Sequence, residues 1–275
     1  MSINYKEEVI GFERHLANHN AVIMPTEDNQ YEICKIISQI KSPKYKMTSF
    51  DFSKIEPLFL SQIKILGKET KDFYQEKISK VRVKREGFLR NGDAQIYGFK
   101  GKQIIYATNK TYKDIDFIAY SHELGHIPSF ETSKSDNKDY YEYLETLPMY
   151  FEYLACRTLD TGNAKKILLD TRLNLLKKEA QGYFSQKKQI KNNNSYADQF
   201  FRNGMIESYK YLKSFDFTLQ LIDKADSDQQ AVNNELDMYV TGEKTMREVA
   251  KSLSINTAGC TKLLKVAKNN CIFHK

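Results

Sequence analysis

Through most of the chain, apolar residues recur at three- and four-residue spacing, the period of a helix with one face against a core. The segment from Ser53 is typical. Ile55, Leu58, Phe59, Ile63 and Leu66 follow one face, and Ser53 with Glu56 makes a capping box at its start. Between Val81 and Thr108 the rhythm breaks: Asn91-Gly92 and Lys100-Gly101 are turn signals, and Gln95–Phe99 and Gln103–Ala107 have the pattern of short strands. The stretch KNNNS at 191–195 reads as a loop between two long helices. The expected fold is mainly α, a single domain with one small β-sheet: N-terminal helices over 1–80, the sheet and the central helices over 81–225, and closing helices over 226–275.

Composition narrows the setting. With 275 residues, 41% of them hydrophobic, the chain can bury a sizeable core. No stretch approaches the roughly 18 consecutive apolar residues of a membrane span, and the opening MSINYKEEVIGFERH reads as neither a secretory signal nor a transit peptide. The expectation is a cytoplasmic protein with no membrane partner. Cys34, Cys156, Cys260 and Cys271 are scattered and read as reduced thiols. The net charge of +7 comes from Lys and Arg spread along the chain, and Lys177-Lys178 and Lys187-Lys188 alternate with apolar residues as solvated helix faces do. Nucleic acid is therefore not an expected partner.

The chemistry concentrates in His122-Glu123-Leu124-Gly125-His126. Residues four apart on a helix stand one turn above each other, so two imidazoles there can share one metal ion. The intervening carboxylate then lies beside the metal's open position, where it can take a proton from water. Thr111 and Asp114 form a plausible cap, Ile115, Ile118 and Ala119 line the face running to the histidines, and Pro128 is placed to end the helix. A catalytic zinc usually has three protein ligands and one open position. Only five histidines exist, and none follows His126 closely enough to be a third ligand of the H-E-x-x-H-x-x-G-x-x-H kind. The third ligand should be a carboxylate, with Glu131, Glu142, Glu145 and Glu152 as candidates. Glu131 is too near the helix end to fold back easily. Glu145 and Glu152 are seven apart, so one could bind the metal while the other supports it, although Pro148 should kink the helix between them. His15 and His19 also stand four apart, in a polar stretch without supporting carboxylates, and read as a surface pair.

These residues resemble the thimet oligopeptidase and oligopeptidase F family of zinc peptidases, of the gluzincin type. The resemblance rests on three stretches in order over roughly residues 80–225: SHELGH, then Glu145-Thr146 with Glu152 seven on, then SYKYLKSFDFTLQL from Ser208. It implies a helical metallopeptidase domain, one zinc per chain held by His122, His126 and Glu145, Glu123 as general base, and Glu152 behind the ligands. It also implies Tyr211 as the phenol that bonds the oxyanion, with Tyr209 close by. The expected activity is hydrolysis of peptide bonds in a peptide or protein substrate, with β-augmentation of the substrate on the strand Gln103–Ala107. Two departures stand out. The family's histidine before the tyrosine pair is missing, Gln199 or Asn203 standing near its place, and the chain is much shorter than typical members.

Two other readings compete. Repressor-cleaving zinc peptidases of mobile elements share a similar motif helix with a downstream glutamate. The C-terminal stretch TMREVAKSLSINTAGCTKLLKVAKN resembles a helix-turn-helix, as in a DNA-binding regulator. Its scattered lysines favour a pair of helices that close the core instead.

Overall fold

A computed structural model describes residues 30–41, 45–99, 102–108, 110–131, 143–191, 196–256 and 258–270. His15, His19, Glu142, Cys271 and the loop residues 192–195 lie outside them. The fold is mainly helical with one small sheet, as the apolar spacing predicts. In chain order the helices are α1 (Gln30–Ser38), α2 (Ile55–Gln62), α3 (Lys68–Ile78), α4 (Asp114–Gly125), α5 (Ile127–Glu131), α6 (Thr146–Leu159), α7 (Ala164–Gln189), α8 (Tyr196–Ser227), α9 (Gln229–Val240), α10 (Met246–Ser252) and α11 (Thr261–Asn270). The strands β1 (Val81–Glu86), β2 (Ala94–Phe99) and β3 (Lys102–Thr108) fall between α3 and α4.

The long helices α7 and α8 pack along each other and against α6, which in turn packs on the motif helix α4. Phe59, Phe117, Phe151, Phe215, Phe217, Tyr74 and Tyr150 fill one contiguous core with almost no exposure. Ile55 and Phe59 of α2, and Ile63 and Leu66 in and after the 3-10 turn that continues it, are buried on the expected stripe, with Leu58 partly covered. The start of that helix differs from expectation. No Ser53–Glu56 box forms; Asp51 caps the short 3-10 turn Phe52–Lys54 that leads into α2, its carboxylate accepting the Ser53 amide at 3.0 Å, and α2 itself has no side-chain cap. An aspartate two residues upstream of an amide reaches it without the longer glutamate having to fold back.

The strands come in the order β1-β3-β2, β1 parallel and β2 antiparallel to the central β3. Gln103, Ile105 and Ala107 alternate inward on β3, as a half-buried strand requires. Gly92 takes a φ of 85°, the left-handed turn conformation its sequence announces. One carboxylate ties this turn to the motif helix. Asp116 accepts from Gly92 N–H at 2.7 Å, Asn91 Nδ2 at 2.7 Å and Lys113 N–H at 2.7 Å. The cap of α4 is therefore Asp116 reaching back to residue 113, and the expected Thr111–Asp114 pair is not formed. Asp114 instead accepts from Tyr45 Oη at 2.8 Å and Thr48 Oγ1 at 2.6 Å, which sews the segment before α2 to α4.

The two prolines also act differently from their sequence reading. Pro128 lies in the first turn of α5, and the break after α4 falls at His126. Pro148 lies in the first turn of α6, where its missing amide costs no helical bond, so Glu145 and Glu152 are not separated by a kink within one long helix. At the C-terminal end, α11 packs on α8 and α1, and the fully buried Asp216 of α8 accepts the Leu263 amide at 2.7 Å. The helix-turn-helix-like stretch thus closes the core with its apolar face, Leu263 and Ala267. Among the described residues no helix is long and apolar enough to cross a membrane.

Candidate active site

The side chains of His122, Glu123 and His126 come from the last turns of α4, and the face opposite them, Phe117, Tyr120 and Leu124, anchors the helix in the core. Ile118 is buried, but Ile115 and Ala119, expected to make the histidine side apolar, are only partly covered. Gly125 sets how closely α4 meets α6. A Cβ there would stand 2.5 Å from Pro148 Cα and 2.8 Å from Pro148 N, so only glycine lets the two backbones approach this far. A second tie runs through Gln62, which accepts from Ser121 Oγ at 3.1 Å and donates to the Phe151 carbonyl at 3.1 Å.

This close approach brings Glu145, at the head of α6, onto the imidazoles. Its Oε2 lies 3.3 Å from His122 Nε2 and 3.5 Å from His126 Nε2. One ligand atom from each of the three residues lies within 4.8 Å of the others. Glu145 Oε2 is buried and has no hydrogen-bond partner. A buried carboxylate oxygen without a donor is costly, and two neutral imidazoles cannot both donate to it while also serving other acceptors. A divalent cation would satisfy all three groups, so the residues fit a metal ion.

The outer nitrogen of His122 is held from behind. Its Nδ1 lies 2.6 Å from Glu152 Oε1. Arg172 Nη2 is 2.8 Å from the same nitrogen. A guanidinium offers no lone pair, so of the two only the carboxylate can accept Nδ1–H. That assignment turns the Nε2 lone pair toward Glu145. Arg172 in turn pairs with Glu152 through both Nε and Nη2. Burial, and then the Arg172 cation, pushes His122 down to about 3, so its ring is neutral and able to coordinate. Burial lowers His126 as well.

Glu123 is pushed up to about 8, chiefly by burial and then by the Glu145 carboxylate, while a hydrogen bond from the Ile96 amide works the other way. Burial opposes ionisation of Glu145, but His126, His122 and Lys210 outweigh it and hold the carboxyl below its usual range. Ile96 belongs to β2, whose only strand partner among the described residues is β3. The unpaired edge of that strand therefore faces the acid of the motif.

The long helix α8 contributes the remaining groups. Tyr211 is partly buried, and its phenol is raised well above the usual range by burial and by Glu145, so it keeps its proton. Tyr209, two positions away and so on another side of the helix, has its hydroxyl 3.7 Å from Cys260 Sγ. The side chain of Gln199 lies outside the described residues. Arg172 and Lys210 escaped the sequence reading, although Arg172 interrupts an apolar row, Leu168, Leu176 and Ala180, at four-residue spacing, which is where a buried charge would show.

No protein-family model matches the chain, and neither does any curated protein sequence. Solved structures do match. A protein assigned as an oligoendopeptidase F superposes with a TM-score of 0.59 at 15% identity, over 94% of this chain and 56% of its own. Another so assigned, from Bacillus anthracis, gives 0.54 at 15% identity, over 93% and 55%. PZ peptidase A with an inhibitor gives 0.57 at 14%, over 97% and 58%. The chain thus spans little more than half the length of these neighbours, and nearly all of it takes the helical fold of these peptidases.

Proposed function

We propose that the chain is a zinc-dependent peptidase in which His122, His126 and Glu145 hold the metal and Glu123 is the general base. The observation that carries this reading is the partnerless Oε2 of Glu145, buried between the Nε2 atoms of two imidazoles. Two imidazoles and a carboxylate suit zinc, which when bound lowers the pKa of a coordinated water and polarises a carbonyl. The peptidase neighbours support a peptide substrate over the DNA-binding alternative.

The chain's own residues then divide the work. Glu123, whose carboxyl holds a proton readily in this buried setting, takes the proton of the attacking water and passes it to the departing amine. Tyr211 keeps its hydroxyl proton and can donate it toward a developing oxyanion. Glu152 and Arg172 fix the ring of His122. The strand edge that serves the substrate is β2 rather than Gln103–Ala107 of β3, because β3 is paired on both sides. A peptide in extended form can add along that outer edge by β-augmentation.

Elemental analysis of wild type and Glu145→Ala tests the reading. About one zinc per wild-type chain, strongly reduced in the variant, is expected of a three-ligand site. Glu123→Gln should bind zinc as wild type does and lose cleavage of a peptide library. A wild-type chain that takes up no zinc when it is supplied sinks the proposal.

A further inference from the structure

Lys210 is 4% exposed, in the middle of α8, with its ammonium against the metal-binding cluster. Its Nζ lies 3.5 Å from Glu145 Oε1 and 2.9 Å from Glu207 Oε2. The two oxygens of Glu145 are thus divided. Oε1 faces a cation supplied by the protein, and Oε2, without a hydrogen-bond partner, faces the two imidazoles. Burying an ammonium is expensive unless carboxylates compensate for it, and a helix exposed to solvent along other faces has cheaper places for a lysine. The Glu145 pair is therefore an arrangement to explain.

We propose that Lys210 is a positioning residue that makes Glu145 a one-oxygen ligand. The inference rests on the metal site described above. A carboxylate free to rotate can offer both oxygens to a cation and raise its coordination number by one. With Oε1 held by the ammonium, only Oε2 is free to serve the imidazole side, and one more position stays open for water and substrate. The ammonium also offsets charge. Glu145, Glu123 and Glu152 gather at the imidazoles, with Glu179 close enough to Glu145 to feel its charge, and Lys210 with Arg172 supplies buried positive charge against them. Groups behind a ligand set its orientation and donor strength, and their loss commonly changes metal affinity or activity by about 10–100-fold.

Cobalt(II) as a spectroscopic probe reads coordination number directly, because four-coordinate cobalt absorbs visible light much more strongly than five-coordinate cobalt. Wild type, Lys210→Met and Lys210→Arg are loaded with one equivalent of cobalt, with far-ultraviolet circular dichroism to confirm the fold. The expected result is an intense spectrum for wild type and Lys210→Arg, and a clearly weaker, shifted one for Lys210→Met at equal bound metal. A simple packing role would lower stability without changing the bands of the bound ion. A Lys210→Met spectrum that superposes on wild type overturns the inference while leaving the metal site intact. Failure of wild type to bind cobalt or zinc overturns the site and this inference with it. Should Lys210→Met not fold, the zinc-loaded minus metal-free infrared difference spectrum of wild type decides. Widely separated carboxylate stretches support a one-oxygen ligand, and a narrow separation overturns it.

Discussion

Gly125→Ala is the sharpest test of how the site is assembled, because it adds one methyl group where two helices cross and changes none of the proposed ligand residues. The added carbon would sit 2.5 Å from Pro148 Cα and 2.8 Å from Pro148 N, both backbone atoms that cannot rotate away. Ordinary carbon contacts begin near 3.5 Å, so α4 and α6 must part by about 1 Å. Overpacking of this kind costs about 1–3 kcal/mol, against which alanine returns up to about 1 kcal/mol of helix propensity. The net loss should be modest, lowering Tm by a few degrees for a chain of this size. The metal should feel much more. His122 and His126 ride on α4 and Glu145 heads α6, and ligand distances tolerate only about 0.2 Å. Affinity for zinc should fall at least tenfold, about 1.4 kcal/mol. Competition with a chromophoric chelator measures it, calorimetry of the metal-free protein gives the stability, and Gly162→Ala, whose Cβ would meet only Asp160 Oδ1 at 3.6 Å, is the control. A Gly125→Ala protein with wild-type zinc affinity would refute the claim that this crossing sets the geometry.

Other perturbations probe separate parts of the argument. Asp116→Ala removes the acceptor for three donors, two of which join the β1–β2 turn to α4 while the third caps the helix; a loss of about 2–4 kcal/mol is expected in urea unfolding, and a change below 0.5 kcal/mol would count against this tie. Tyr211→Phe should lower kcat by about 10-fold or more with zinc content unchanged, if its hydroxyl serves the oxyanion, whereas Tyr209→Phe, facing Cys260, should leave kcat near wild type. In the metal-free protein His122 is lowered from 6.5 to about 3, so the unfolded chain binds the extra proton and stability falls as pH drops below 6.5. Glu123 is raised from 4.5 to about 8, so the folded chain holds the extra proton and stability falls as pH rises from 4.5 toward 8. The Tm of the metal-free protein should therefore peak between these limits, and Glu123→Gln should abolish the alkaline decline; a variant that keeps that decline rules out Glu123 as its source.

How much of this was legible beforehand depends on whether a feature is local in sequence. The period of α2, the strands Gln95–Phe99 and Gln103–Ala107 and the long helices on either side of residues 191–195 follow from spacing and turn chemistry over a few residues, and they stand in the structure, whereas β1 is not among the expected strands. The spacing of His122 and His126 likewise places both rings on one side of α4. Caps were harder. Asp114 and Asp116 both head the same helix, and only the arrival of the β1–β2 turn makes Asp116 the one that reaches residue 113. Pro148 reads as a kink because the sequence does not announce that α6 begins at Thr146.

The charges of α7 and α8 show the limit most clearly. Lys178, Lys187 and Lys188 are exposed, as a basic residue on a helix usually is. Arg172 and Lys210 carry the same charge but are buried, because α7 and α8 turn these positions toward acids supplied by α6. Nothing within a helical turn distinguishes the two kinds of basic residue except the company they keep. Arg172 has Leu168 and Leu176 four residues to either side, and Lys210 lies between Tyr209 and Leu212 in a run where nearly every position is covered. A charge on an apolar stripe needs a buried partner of opposite sign, and the buried acids that pair with these two cations, Glu152 and Glu145, are the ones that stand against the two histidines. Read in that direction, the buried cations point back to the same site as the H-E-x-x-H motif.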